Sequence, residues 1–274
     1  MSRFDFAKLV KEEEIEAFER DGAVCLRGLF ERRWFESLAR GVERNMADPG
    51  PDGVRYTPDG APGDFRDDYC NWEGIEEYRE FVFNSPAGAI AGRLTGSKRV
   101  RLFHEHVLVK EPGTLEITPW HQDLPYYCVD EEKLCSLWLP LDPVPRNGCV
   151  EFIAGSHLWG KMFLPRKFIS HEHYDYPSDE YQPIPDIEAK RDDYRILSWD
   201  LDPGDCIVFH MRMLHGAPGT KHLKTRRRAF STRWLGDDAM FARRPGRTSP
   251  PFDGLDLEPG QSMDRPNFPV VWEA

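Results

Sequence analysis

Residues 195–216 read RILSWDLDPGDCIVFHMRMLHG. Pro203-Gly204-Asp205 is a turn signal, because proline presets φ and glycine and aspartate accept the bend. Apolar and β-branched residues flank it on both sides, the pattern of strands. CIVFHMRMLHGAPG, residues 206–219, reads as one strand that carries His215-Gly216.

Working outward, RRAFSTRWLG (227–236) and RVRLFHEHVLVK (99–110) have the same alternating character. CSLWLPLDPV and CVEFIAGSH lie between them, joined by Pro145-Arg146-Asn147-Gly148. Asn-Gly between two apolar runs predicts a hairpin. Many short strands with turn signals predict a mainly β sandwich or barrel, with helices packed outside it. Those helices come first. EEEIEAFERD stops at Gly22, AVCLRGLF is strand-like, and Trp34 or Phe35, Leu38, Val42 and Met46 recur at helical spacing. Residues 47–71 are rich in Pro, Gly and Asp and read as a long loop, and residues 72–98 read as helical, ending near Gly96. A polar, Tyr- and Pro-rich stretch at 160–194 interrupts the strands. The organisation expected is one domain over 1–274, with a helical part to about 98, a β core over 99–240 and a tail, 241–274, wrapping the surface.

The 274 residues carry a formal charge of −11, 40% hydrophobic and 30% charged residues, as in ordinary globular protein. An acidic chain is a poor partner for nucleic acid, although Lys221–Arg228 is a local basic cluster. No stretch approaches the roughly 18–20 apolar residues that span a bilayer. The N-terminus lacks the apolar region of a secretory signal. The six cysteines form no CxxC pair, so zinc ribbons and thioredoxin-like chemistry are excluded and reduced thiols in a cytoplasmic protein are expected.

The chemistry begins at Thr118-Pro119-Trp120-His121-Gln122-Asp123. Residues two apart on a strand share a face, so His121 and Asp123 can reach one metal. A second histidine from a distant strand would complete a 2-His-1-carboxylate triad with open positions, as in non-haem iron(II) oxygenases. HxD alone is a weak signal; its context makes it specific. HQD, the Asn-Gly-Cys turn, Gly155-Ser156-His157, Pro203-Gly204-Asp205, the His215-Gly216 strand and the arginine strand twelve residues later follow in order. Together they resemble the phytanoyl-CoA dioxygenase family over roughly residues 10–235.

The resemblance implies a double-stranded β-helix, or jelly-roll, with His121, Asp123 and His215 holding Fe(II) and with 2-oxoglutarate and O2 as co-substrates. By position, Arg227 would grip the distal carboxylate of 2-oxoglutarate, and guanidinium suits that task because it is charged and bidentate. Arg228 should face away and Arg226 is a register rival. Trp138 and Val107 match positions of the family's co-substrate pocket. Family members often carry Ser two residues after the distal histidine; here it is Ala217, and Thr118 is the candidate to supply the missing hydroxyl. Asp123 stands where related halogenases have a small residue, so hydroxylation or a related oxidation of a small molecule is implied, with succinate and CO2 released.

Other histidines compete. His104 and His106, or His171 and His173, have same-face spacing and could serve a cupin-like metal enzyme independent of 2-oxoglutarate. They lack the turn and arginine context. His210 rivals His215, but a spacing of five puts the two on opposite faces of a regular strand. His157 is expected to stabilise its own turn. Arg66, Tyr69, His104, Tyr126 and Arg233 are candidate substrate contacts. Arg66, Arg233 and the nearby histidines suit an anionic group, while the acidic charge argues against a CoA thioester. The loops at 47–71 and 160–194 are expected to cover the mouth. A non-catalytic jelly-roll binding module is the remaining alternative.

Overall fold

Gly22 adopts φ 78° and ends the first helix, and the backbone then enters the sheet. The computed structural model describes residues 9–166, 172, 174, 176 and 179–274. Its helices are α1 (Glu12–Asp21), α2 (Arg32–Ala47), α3 (Glu76–Asn84) and α4 (Ala87–Thr95). Its strands up to the Asn-Gly turn are β1 (Ala23–Leu26), β2 (Val54–Arg55), β3 (Phe65–Tyr69), β4 (Arg99–Lys110), β5 (Thr118–His121), β6 (Val129–Asp130) and β7 (Leu134–Pro140). Beyond it come β8 (Glu151–Ile153), β9 (Met162–Phe163), β10 (Tyr181–Gln182), β11 (Ile196–Leu197), β12 (Cys206–His210), β13 (His215–Ala217), β14 (Arg227–Leu235), β15 (Met240–Phe241) and β16 (Val270–Glu273).

The major sheet has eight strands in the order β1-β12-β7-β14-β4-β3-β2, with β16 also on β4. A four-stranded sheet, β11-β8-β13-β5, faces it. This is the jelly-roll expected. Each strand of the major sheet turns one set of side chains to the helices and the next set to the minor sheet. Val109, Leu137, Leu139, Val208 and Phe230 pack with Trp34, Leu38, Phe81 and Ile90 on the helix side. Trp138, Ile207, Phe209 and Ala229 pack with Phe152 on the other.

Four expectations need correction. The Asn-Gly segment is not a hairpin: Arg146–Gly148 forms a 3-10 turn that carries the chain from β7 in the major sheet to β8 in the minor one. Cross-sheet corners use the same turn residues as hairpins, so local sequence cannot separate them. Residues 47–71 are not all loop, since β3 pairs with β4 from Phe65↔Lys110 to Tyr69↔His106. The β core does not begin at 99, because β1, β2 and β3 from the expected helical part belong to the major sheet. The tail does more than wrap: β16 pairs with β4, and Phe268 and Met263 are buried.

The Pro203-Gly204-Asp205 turn is as expected and is tied to the N-terminal part. Gly204 sits at φ 107°, and the Asp205 carboxylate accepts from Arg27, from Gly28 N–H and from Asp202 N–H. His157 bonds the Glu19 carbonyl at the end of α1 rather than its own turn. All six cysteines are free. Among the described residues no helix is long and apolar enough to cross a membrane.

Candidate metal centre and active site

His121 on β5 and His215 on β13 are direct partners across an antiparallel pair. Their ring centroids are 4.1 Å apart. His121 Nδ1 is 2.8 Å from the Pro119 carbonyl and His215 Nδ1 is 3.0 Å from that of Met213. A carbonyl only accepts, so each Nδ1 donates and Nε2 is the nitrogen that would bind a metal. Each Nε2 lies 3.7 Å from Asp123 Oδ1. The three groups offer ligand atoms within 4.8 Å of one another, the one such cluster among the described residues.

Asp123 does not share a strand with His121, as the spacing argument assumed. β5 ends at His121, and Asp123 opens the 3-10 turn Leu124–Tyr126, whose backbone bend brings the carboxylate round to the imidazoles. Its outer oxygen, Oδ2, accepts from Ser136 Oγ at 2.8 Å and lies 3.7 Å from Arg233 Nε. Burial opposes the ionisation of Asp123, but Arg233 and the two imidazoles outweigh it and hold the carboxyl well below the usual range. Burial and then the His121 imidazole push His215 down to about 3, so it stands neutral, as a ligand must.

The supports of the triad are themselves fixed. Gln122 donates to the carbonyls of Lys161 and Arg212 and accepts from Phe163 N–H, which locks the turn between the two ligands. Ser156 Oγ accepts from Leu214 N–H, next to His215. The 206–219 stretch is not one strand: β12 and β13 lie in different sheets, broken at Met211–Leu214. His215 is therefore preferred over His210 for a reason other than face. His210 bonds the Glu132 carbonyl and accepts from Arg212 N–H, away from the triad.

One cavity opens on the triad, and Thr118, Trp138, Arg227, Tyr69, His104, Tyr126 and Arg233 all line it. Arg227 is 4% exposed and its guanidinium donates to the Gly148 carbonyl. Among the described residues no carboxylate pairs with it. Burial pushes it down to about 10, still charged at neutral pH. Arg226 pairs with Glu43 and Glu111, and Arg228 with Asp142 and Glu43, so neither competes.

Two expected site residues lie elsewhere. Val107 is fully buried on the helix side of β4, not in the cavity. A bulge between Arg233 and Trp234 shifts the register against β4, so His104, His106 and Leu108 face inward and Val107 outward. The apolar positions Val100 and Leu102, then Val107 and Val109, record that change of phase in the sequence. Arg66 does not line the cavity and pairs with Asp64 at 2.6 Å. His106 bonds Asp67 Oδ2 at 2.9 Å, so His104 and His106 form no second metal cluster. His171 and His173 lie outside the described residues.

Three site features had no weight in the sequence reading. Lys110, fully buried opposite Arg227, donates to Thr118 Oγ1 and to the carbonyls of Glu116 and Pro218. Burial, and then Arg227, hold its ammonium well below the usual lysine range. Asp67 lines the cavity from within the supposed loop, and Ser249 and Pro250 line it from the supposed surface tail.

Residues 18–229 match the family described as phytanoyl-CoA dioxygenase (PhyH). The chain belongs to the phytanoyl-CoA dioxygenase family. It is 25% identical over 191 residues to the probable phytanoyl-CoA dioxygenase of Caenorhabditis elegans, covering 64% of this chain and 54% of that one. The chain thus spans about half the length of that relative. It is 26% identical over 213 residues to the 1-deoxypentalenic acid 11-beta-hydroxylase of Streptomyces exfoliatus, covering 72% of this chain and 71% of that one. In fold it is similar to the epimerase SnoN solved with Fe3+, alpha ketoglutarate and nogalamycin RO, with a TM-score of 0.74, 24% identity and coverage of 98% of this chain and 100% of that one.

Proposed function

We propose that this member of the phytanoyl-CoA dioxygenase family is an iron(II)- and 2-oxoglutarate-dependent dioxygenase that hydroxylates a small molecule. The observation that carries the proposal is one cavity holding both the His121–Asp123–His215 cluster and the buried, carboxylate-free Arg227. The donor set fits the metal: two imidazole nitrogens and one carboxylate oxygen make a 2-His-1-carboxylate set, which suits non-haem iron(II). Family membership and the relatives' printed activities point the same way.

His121 and His215 would bind iron(II) through Nε2, and Asp123 through Oδ1. Arg227 would take the distal carboxylate of 2-oxoglutarate, with Thr118 and Trp138 beside it. Iron(II) with 2-oxoglutarate, when bound, supplies the O2 activation that puts one oxygen atom into a substrate C–H bond and releases succinate and CO2. The chain's own work is positional. Ser136 and Arg233 hold the outer oxygen of Asp123, so that Oδ1 stays turned to the histidines. Tyr126 accepts from Arg166 N–H and donates to the Arg166 carbonyl, tying the start of the 160–194 stretch over the cavity wall.

Anaerobic addition of iron(II) and 2-oxoglutarate should give a weak visible charge-transfer band that disappears in His121→Ala. A substrate screen read by succinate then tests turnover. An equal band in the variant sinks the metal assignment. A band with no succinate from any substrate leaves a binding module as the better reading.

A further inference from the structure

The cavity wall formed by β3, β4 and β14 carries polar atoms that the metal and co-substrate do not explain. Asp67 on β3 is 3% exposed and lines the cavity. Its Oδ2 accepts from Tyr56 OH at 2.8 Å and bonds His106 Nε2 at 2.9 Å. Its Oδ1 is buried with no hydrogen-bond partner. His104 on β4, 2% exposed, has Nδ1 3.2 Å from the Glu105 carbonyl. That contact makes Nδ1 the donor and leaves Nε2 an acceptor, which is also buried and without a partner. Ser231 on β14 stands opposite His106 and its Oγ is likewise unpartnered. Buried polar atoms are normally satisfied, and exceptions point to a ligand or a functional constraint.

The arginines of β3 and β14 nearest this wall are already engaged. Arg66, expected to greet an anion, is held by Asp64 outside the cavity. Arg233 is occupied by Tyr127 OH and by Asp123. The residues lining the cavity here are Asp67, His104 and Ser231, with the aromatic rings of Tyr56, Tyr69 and Tyr126 beside them and Arg166 entering from the 160–194 stretch. Acceptors call for donors.

We infer that the substrate of this site presents hydrogen-bond donors, hydroxyl or amine groups on a ring or chain, to Asp67, His104 and Ser231, with Asp67 as the principal specificity-determining residue. The reaction rests on the oxygenase reading above; the binding does not. Hydroxyl and amine share the donor chemistry required, and a protonated amine would add attraction to Asp67.

The test uses three ring probes of one size: trans-1,2-cyclohexanediol, cyclohexylamine and cyclohexanecarboxylate. Binding is read by ligand-observed NMR on the full chain loaded with 2-oxoglutarate and a redox-inert divalent metal. The diol and the amine should bind and the carboxylate should bind at least tenfold more weakly. The stronger of the first two identifies the kind of donor. Asp67→Asn should weaken the donor probes by tenfold or more, without loss of the anaerobic charge-transfer band. Ser231→Ala, which removes an atom with no partner, should weaken them several-fold and carries the test if Asp67→Asn does not fold. The inference is overturned if the carboxylate binds as well as the donors, if no donor probe binds, or if donor binding is unchanged in the folded variants. Absence of the band in the unmodified chain would instead overturn the oxygenase reading.

Discussion

The guanidinium of Arg233 stands 3.7 Å from Oδ2 of Asp123, the oxygen that also accepts from Ser136. One buried cation and one hydroxyl therefore fix the carboxylate whose other oxygen faces both histidines. Groups behind a metal ligand typically change metal affinity 10–100-fold when removed. Arg233→Met should weaken metal binding by about that factor, measured by anaerobic Co(II) titration. Ser136→Ala should lie at the lower end of the same range. Unchanged affinity in both would mean that Asp123 needs no such hold.

Arg227 makes the second prediction. A charge-assisted, bidentate grip contributes roughly 1.5–3 kcal/mol, or about 10–150-fold in affinity. Arg227→Met should raise the Kd for 2-oxoglutarate by that factor and leave Co(II) binding within about twofold. Arg227→Lys keeps the charge but loses the fork, and should fall between. An unaltered Kd in Arg227→Met would move the co-substrate anchor elsewhere.

The placement of Val107 gives a sharper contrast. It packs in the helix-side core with Val109 and Phe230, while Trp138 lines the cavity. Val107→Ala should cost about 1–3 kcal/mol in chemical denaturation with little change in 2-oxoglutarate affinity. Trp138→Ala should shift that affinity several-fold. If Val107→Ala changes co-substrate binding as much as Trp138→Ala does, the assignment of faces on β4 is wrong.

Much of the site was legible for a physical reason. HQD and the His-Gly strand bring a ligand set whose chemistry is local to a few residues. What surrounds it was less legible, because it depends on distant partners. Phe65–Tyr69 looks like loop because FRDDY is charged. It forms a strand because Asp67 meets Tyr56 and His106, and Asp68 meets Asn45 and Gly50 N–H. The break between His210 and His215 is set by Ser156, which captures Leu214 N–H from 58 residues away. The phase change on β4 was visible in principle, since two alternating apolar pairs are offset by one residue.

Glu105 predicts a pH effect. It is fully buried on β4, accepts from Asn71 N–H, and its Oε2 has no partner. Burial pushes its carboxyl up to about 8 from an ordinary 4.5. Between those values the folded protein keeps a proton that the unfolded chain releases. The Glu105 contribution to stability is thus full below the ordinary value and is lost as pH rises through the folded one. Urea unfolding at pH 5, 6.5 and 8 should show stability declining, and Glu105→Gln should flatten the decline by about 1 kcal/mol or more. A parallel pH profile in the variant would rule Glu105 out as its source.

The last prediction concerns the hydroxyl absent at Ala217. Ala217 on β13 is the direct partner of Thr118 on β5, and both line the cavity. Lys110 Nζ, 3.3 Å away, donates to Thr118 Oγ1. The threonine oxygen is thereby occupied as an acceptor, and its own proton is free to point into the cavity. A neighbouring strand can therefore supply the donor that serine would supply at 217. Thr118→Ala should weaken 2-oxoglutarate binding by roughly 10-fold or more, the loss of one hydrogen bond to a charged group. Adding Ala217→Ser to that variant should restore most of the affinity, because the new hydroxyl arises opposite the lost one. Ala217→Ser alone should gain little, since the donor is already present. Failure of the double variant to recover, with metal binding intact, would show that the two positions do not address the same carboxylate.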